Sequence, residues 1–168
     1  MARVDDYLRK QAAELLQALN EGCYKEDNIP CQIEEGLFLG SFGAANNEEE
    51  LTRLNITHIL TVGSAMPPAY PNDFVYKHFD ECFDYIEEAK RSGGSVLVHC
   101  FVGRSRSVAV VIPYLLKKHG MTLFEALDHV KSGRAWAAPN AGFSTQLYEY
   151  EMFLSGKSLS PKWLLLKN

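Results

Sequence analysis

The sequence predicts a single α/β domain, a central sheet with helices over both faces. Three observations carry that expectation. Short apolar runs alternate along the chain with apolar stripes at helical spacing, the order that packs helices against a sheet. One such run, Ser95-Val96-Leu97-Val98, passes through a tight loop straight into a helix-like stretch at residues 108–119. Finally, 168 residues of which 46% are hydrophobic can bury one sizeable core.

Residues 4–20 read as a helix with Leu8, Ala12, Leu15, Leu16 and Leu19 on one face and Gly22 just beyond its end; its expected role is to cover the domain. A short strand at 37–40 follows. Residues 48–54 form a helical turn feeding a strand at 57–62, whose apolar run predicts burial in the sheet. Pro67, Pro68 and Pro71 punctuate a loop before an extended piece at 74–77. Phe79, Phe83, Ile86 and Ala89 recur at helical spacing, and Gly93-Gly94 end that helix. A strand at 96–99 leads into the helix at 108–119. Pro113 lies inside it, where a missing N–H and a clash with the Ala109 carbonyl cost about 3 kcal/mol or a kink. A bend near Pro113 is therefore expected, and Pro113→Ala is expected to raise the melting temperature. Thr122-Leu123-Phe124-Glu125 is a capping-box pattern, with Ala126, Leu127 and Val130 as the inner face of its helix. Phe143, Leu147, Tyr150 and Leu154 make the last stripe. The tail from 157 to 168, with Trp163-Leu164-Leu165-Leu166, is expected to dock on its own domain.

A net charge of −4 supplies no global field for nucleic acid or an anionic membrane, so attraction for an anion has to be local. No apolar run approaches membrane-spanning length, and no hydrophobic stretch of a secretory signal opens the chain. Cys23, Cys31, Cys82 and Cys100 show no close paired spacing. That pattern argues against a zinc knuckle or a disulfide framework and for a reducing compartment, cytoplasmic or nuclear.

The chemistry concentrates in His99-Cys100-Phe101-Val102-Gly103-Arg104-Ser105-Arg106-Ser107. A strand, a tight loop and a helix N-terminus in that order make an anion site, since successive N–H groups converge and the helix dipole adds positive potential. Cys100 at the base of the loop is expected to be held as thiolate, because a helix N-terminus and guanidinium lower a thiol pKa. Arg106 is placed to grip two oxygens of a tetrahedral dianion bidentately, which lysine cannot reproduce. Together these point to a cysteine nucleophile facing a bound phosphate. A thiolate is also the form that oxidises, so mild peroxide is expected to inhibit reversibly through Cys100.

The Cys-x5-Arg spacing, preceded by His99 and followed by Ser107, resembles the signature of cysteine-dependent protein phosphatases, in the form used by small plant-type dual-specificity enzymes. Asp27-Asn28-Ile29-Pro30 with Ile33-Glu34-Glu35-Gly36-Leu37-Phe38-Leu39-Gly40-Ser41, then Ile56-Thr57-His58-Ile59-Leu60-Thr61-Val62, and Ala138-Pro139-Asn140-Ala141-Gly142-Phe143 are similar to further family segments. The resemblance divides the chain into an N-terminal helix at 1–24, a dual-specificity phosphatase domain at 25–156 and a tail at 157–168. It implies a central mixed sheet flanked by helices. It also implies catalysis by Cys100, Arg106 and Ser107, with a phosphocysteine intermediate that the Ser107 hydroxyl helps to break down. The phosphate loop of Phe101, Val102, Gly103, Arg104, Ser105 and Arg106 would bind substrate, supported by His99, which orients the loop, and Asn140, which braces it from a neighbouring turn. No metal or cofactor is implied. The implied partners are phosphorylated proteins, MAP kinases being the family's usual substrates.

One departure concerns the acid that protonates the leaving oxygen, worth about 10²–10⁴-fold. In the family it is an aspartate on a loop after the strand matching 74–77, roughly thirty residues before the nucleophile. Here Phe74-Val75-Tyr76-Lys77-His78 runs directly into Phe79-Asp80-Glu81-Cys82, which resembles the inside of the next helix, so the sheet is expected to be shortened and the acid loop missing. Counting back 31 positions from Cys100 lands on Ala69. Asp73, Asp80, Asp84 and His78 are the nearest substitutes, Asp80 the leading candidate; a turn-stabilising Asp73, solvated Asp80 and Asp84 carboxylates and a strand-end His78 are the plainer alternatives. Three functions compete: an active dual-specificity phosphatase, an impaired variant that binds phosphoproteins, and another Cys-x5-Arg chemistry such as sulfur transfer or arsenate reduction. The last fits poorly, because no second resolving cysteine is adjacent and the outer segments are of phosphatase type.

Overall fold

The computed structural model describes residues 27–63 and 79–157, with the backbone alone at Phe79 and Asp80. The predicted helix at 4–20, the extended piece at 74–77, the acid-loop region with Asp73 and His78, the Asp80 side chain and the tail from 158 lie outside the described residues. In chain order the elements are β1 (Cys31–Glu34), β2 (Leu37–Gly40), α1 (Phe42–Ala45), α2 (Glu48–Arg53), β3 (Ile56–Thr61), α3 (Phe79–Arg91), β4 (Ser95–His99), α4 (Arg106–His119), α5 (Leu123–Gly133) and α6 (Ala141–Leu154).

The strands form one mixed sheet in the order β1-β2-β4-β3. β1 and β2 make an antiparallel hairpin, while β2 and β3 both run parallel to β4. All five residues of β4 are buried, as the centre of a parallel sheet covered on both faces requires. Alternation sorts the side chains: Leu37, Leu39, Leu60, Val96 and Val98 enter the core under α3, α4, α5 and α6, whereas Phe38, Ile59 and Leu97 pack with Ala45 and Leu51 beneath α1 and α2. Each fully buried aliphatic side chain contributes about 1.5–3 kcal/mol. The expected α/β sandwich of helices around a mixed sheet is what forms. β1 was not predicted, because Gln32 and Glu34 leave Ile33 as its one deeply buried residue and no apolar run marks it.

α4 starts at Arg106, two residues before the predicted 108, since the polar Arg106 and Ser107 carry no apolar signal. It continues as one helix through Pro113, which is buried. The chain turns out of it at Gly120, whose N–H donates to the Leu116 carbonyl at 3.0 Å. Thr122 then forms the predicted capping box: its Oγ1 accepts from the Glu125 N–H at 3.3 Å and the Glu125 carboxylate accepts from the Thr122 N–H at 2.8 Å.

Charged side chains tie the hairpin to the helices. Glu34 of β1 takes Lys90 of α3 and His119 of α4, the latter at 2.7 Å. Burial pushes the Glu34 carboxyl up, but its interactions with Lys90 and His119 together outweigh it and hold it below the ordinary range. The buried Tyr114 donates its hydroxyl proton to Glu87 at 2.7 Å, closing the network across α3 and α4.

For function the decisive feature is where the parallel strands stop. Gly40 of β2 and Thr61 of β3 both pair in register with His99, the last residue of β4. Three strand ends therefore lie level, with Cys100 as the next residue of the central strand's chain, at the carboxyl edge where open α/β sheets bind ligands.

Candidate active site

Cys100 leaves β4 at 2% exposure, and residues 101–105 loop from it into the N-terminus of α4. Its Sγ accepts from the Gly103 N–H at 3.2 Å and lies 3.3 Å from Ser107 Oγ. Burial pushes the thiol pKa up, yet the Ser107 hydroxyl and the N–H groups of Ser107, Gly103 and Arg104 act more strongly together, so the net shift is downward. A buried sulfur with converging N–H donors is an arrangement that can stabilise a thiolate and can accept a tetrahedral anion beside it.

The loop is held from outside. Its carbonyls at Phe101 and Arg104 accept from the N–H groups of Phe42 at 3.1 Å and Ala138 at 2.8 Å, and those at Val102 and Gly103 accept from the guanidinium of Arg134 at 3.0 and 2.7 Å. The Phe101 ring stacks against Phe42 with centroids 6.5 Å apart. Val102 is exposed at the rim, and Arg104 and Arg106 are exposed beside it, Arg106 as the first residue of α4. Of the sequence-predicted loop, the structure thus brings Gly103, Ser107 and the Arg104 N–H to the Cys100 sulfur, and leaves the Arg106 side chain exposed.

Of the two supporting residues, Asn140 braces the loop as expected, through its main chain, while the His99 ring bonds the neighbouring strand. The Asn140 side chain does not brace the loop; it caps α6 by accepting from the Phe143 N–H at 2.9 Å, and the brace is its own N–H, donated to Ser105 Oγ at 3.0 Å. A short amide side chain preceding a helix serves its nearest unpaired N–H first. His99 likewise bonds sideways: its Nε2 pairs with Thr61 Oγ1 of β3 at 2.8 Å, and its Nδ1 meets no hydrogen-bond partner among the described residues. Burial pushes its pKa down to about 4, against a weaker pull from the Cys100 backbone, so the ring is neutral at neutral pH and locks the strand ends below Cys100. No group of three or more potential metal ligands occurs among the described residues.

The residue sequence reasoning missed is Arg134, directly after α5 and 1% exposed. Besides the two loop carbonyls it pairs with Asp27 and donates to Cys31 Sγ at 3.3 Å, while the Trp136 ring lies 4.8 Å from its Cζ. The available signal was its setting, an arginine in Gly133-Arg134-Ala135-Trp136-Ala137-Ala138 with no carboxylate between Asp128 and Glu149.

The catalytic-domain family described as dual specificity phosphatase matches residues 37–153, from β2 into α6. Dual specificity protein phosphatase 1 of Arabidopsis thaliana is 58% identical over 142 residues, covering 76% of this chain and 72% of its own. MAP kinase phosphatase with leucine-rich repeats protein 3 of Dictyostelium discoideum is 41% identical over 139 residues, 74% of this chain and 16% of that protein. Among solved structures, human DUSP28 superposes with a TM-score of 0.69 at 36% identity, covering 75% of this chain and 95% of that one. Both the three parallel strands that end beneath Cys100 and the loop around its sulfur fall inside the matched stretch, and so the chain belongs to the dual specificity protein phosphatases.

Proposed function

We propose that this phosphatase removes phosphate from phosphotyrosine and from phosphoserine or phosphothreonine in proteins through a phosphocysteine on Cys100, with MAP kinases as the substrate class. The observation that carries the mechanism is the convergence of the Ser107 hydroxyl and three N–H groups on the buried Cys100 sulfur. Sγ attacks phosphorus; the S–P bond forms as the P–O bond to the leaving oxygen breaks, and that oxygen takes a proton. Arg106 and the N–H groups of residues 101–106 hold the equatorial oxygens. Water then attacks phosphorus, the S–P bond breaks, and Ser107 stabilises the departing thiolate as inorganic phosphate leaves. The MAP kinase assignment draws on the Dictyostelium relative's name. A reducing compartment, cytoplasm or nucleus, suits a thiolate catalyst and the three free cysteines among the described residues.

Asp80, in the first turn of α3, is our candidate for the proton donor. The alternative, an impaired variant that binds phosphoproteins, is favoured by the sequence at 74–82, Phe-Val-Tyr-Lys-His-Phe-Asp-Glu-Cys, which lacks the aspartate loop expected from the family resemblance. Turnover of nitrophenyl phosphate and of a phosphotyrosyl peptide by wild type, Cys100→Ser and Asp80→Asn separates these readings. Loss of both activities in Cys100→Ser confirms the nucleophile, and retained turnover there refutes it. Selective loss of the peptide in Asp80→Asn confirms the acid. Wild-type turnover confined to the nitrophenyl ester, whose leaving group needs no proton, establishes the impaired variant instead.

A further inference from the structure

We propose that Arg134 is a positioning residue that orients the phosphate-binding loop by gripping two of its carbonyls from behind, an assignment that rests on Cys100 and its loop being the phosphate site. Four successive carbonyls, from Phe101 to Arg104, are held on the outer side of the loop. The outer two are taken by main-chain N–H groups of Phe42 and Ala138. The middle two are taken by one side chain: Arg134 Nη2 donates to the Val102 oxygen at 3.0 Å and Nε to the Gly103 oxygen at 2.7 Å.

A trans peptide is planar, with its carbonyl pointing opposite to the N–H of the next residue. Turning the Val102 and Gly103 carbonyls toward Arg134 turns the N–H groups of Gly103 and Arg104 the other way. That way lies Cys100 Sγ, which the Gly103 N–H reaches at 3.2 Å. One guanidinium thus aligns two of the donors that act on the thiolate, without touching sulfur or the space above it.

The guanidinium is itself pinned. It is buried, its Nη1 donates to Asp27 Oδ1 at 3.1 Å and to Cys31 Sγ at 3.3 Å, and it lies over the Trp136 ring. Its planar fork serves a carboxylate and two carbonyls at once, which an ammonium cannot do. It also brings a positive charge beneath a loop that receives a dianion, in a chain whose net charge is −4.

The test uses Arg134→Met, Arg134→Lys and Asp27→Asn in the full chain, with Cys100→Ser as reference. Three readouts are taken: the pH dependence of iodoacetate alkylation of Cys100, the inhibition constant of inorganic phosphate, and kcat and KM on nitrophenyl phosphate. In Arg134→Met the alkylation profile is expected to move to higher pH and phosphate to bind about tenfold or more weakly, as loss of hydrogen bonds to charged groups predicts. Arg134→Lys and Asp27→Asn should move both in the same direction by less. A merely structural arginine would lower the melting temperature and leave the alkylation profile and phosphate constant of the folded fraction at wild-type values, which would overturn the proposal. If Arg134→Met does not fold, Arg134→Lys and Asp27→Asn decide by the same two readouts. Retained turnover in Cys100→Ser would instead bring down the underlying phosphate-site assignment, so the two failures are distinguishable.

Discussion

Gly103 and Gly120 share a backbone conformation, with φ of 66° and 65°, yet a methyl group added at each meets different surroundings. At Gly120 a Cβ would find nothing within 4 Å. At Gly103 it would collide with the backbone carbonyl of Gly40 and come within 2.6 Å of Arg134 Nη2. Left-handed backbone costs an alanine roughly 1–2 kcal/mol at either site. The collision at Gly103 adds about 1–3 kcal/mol, because the Gly40 carbonyl belongs to β2 and cannot swing aside. Gly103→Ala should therefore destabilise by about 2–5 kcal/mol and Gly120→Ala by about 1–2 kcal/mol, read as drops of roughly 2–4 °C in melting temperature per kcal/mol for a domain of this size. Activity should separate the pair completely. Displacing the Gly103 peptide misdirects a donor of the oxyanion-hole type, worth about 10²–10³-fold in kcat, whereas Gly120→Ala should keep wild-type kcat. Thermal melts and nitrophenyl phosphate kinetics on both variants test this. A Gly103→Ala enzyme with wild-type turnover, or a Gly120→Ala enzyme that loses it, would refute the link between the loop's close approach to β2 and its chemistry.

Ser107→Ala removes the hydroxyl 3.3 Å from Cys100 Sγ; since that contact lowers the thiol pKa, alkylation should shift to higher pH and phosphocysteine breakdown should slow about tenfold or more, measurable as a larger burst before a slower steady state. His99 is held neutral when folded, its pKa pushed from 6.5 down to about 4. The unfolded chain binds that proton first, so the stability concerned is complete above about pH 6.5 and is lost as pH falls toward 4, up to about 3 kcal/mol in all. Urea unfolding at pH 7 and pH 4.5 should show this loss in wild type and a smaller one in His99→Gln; equal losses would dismiss it. Tyr114→Phe deprives Glu87 of a donor at 2.7 Å and should cost about 1–3 kcal/mol while leaving kcat unchanged, because the network lies on α3 and α4, away from the loop.

What was legible in the sequence is what neighbouring residues decide together. Apolar runs located β2, β3 and β4 within a residue or so, and the Thr122–Glu125 pair located the start of α5, since a cap is a contract between residues three apart. The loop was legible for the same reason: Cys100, Gly103 and Ser107 sit within eight positions of one another and close on a single sulfur. β1 escaped because an edge strand with one buried residue has no apolar period to show. The start of α4 escaped because its first turn faces an anion site rather than the core, and polar residues there follow the chemistry instead of the helical stripe.

The supports of the loop escaped for a deeper reason. Asn140 meets the loop through its main-chain N–H, while its side chain and that of His99 each bond the unpaired group that geometry brings nearest. For Asn140 that is the Phe143 N–H at the start of α6, and for His99 it is Thr61 on the neighbouring strand. The partners of Arg134, by contrast, come from far along the chain, with Asp27 separated from it by 107 positions and Gly103 by 31. No local pattern encodes such a meeting. An isolated arginine among small and apolar residues still carries a physical demand, because a charge without local partners either stays in water or finds distant ones. Where such a residue is buried, the groups it binds are among the best held in the fold. Here two of them are peptide carbonyls of the phosphate loop, so a catalytic surface made of main-chain atoms depends on a side chain that never faces it.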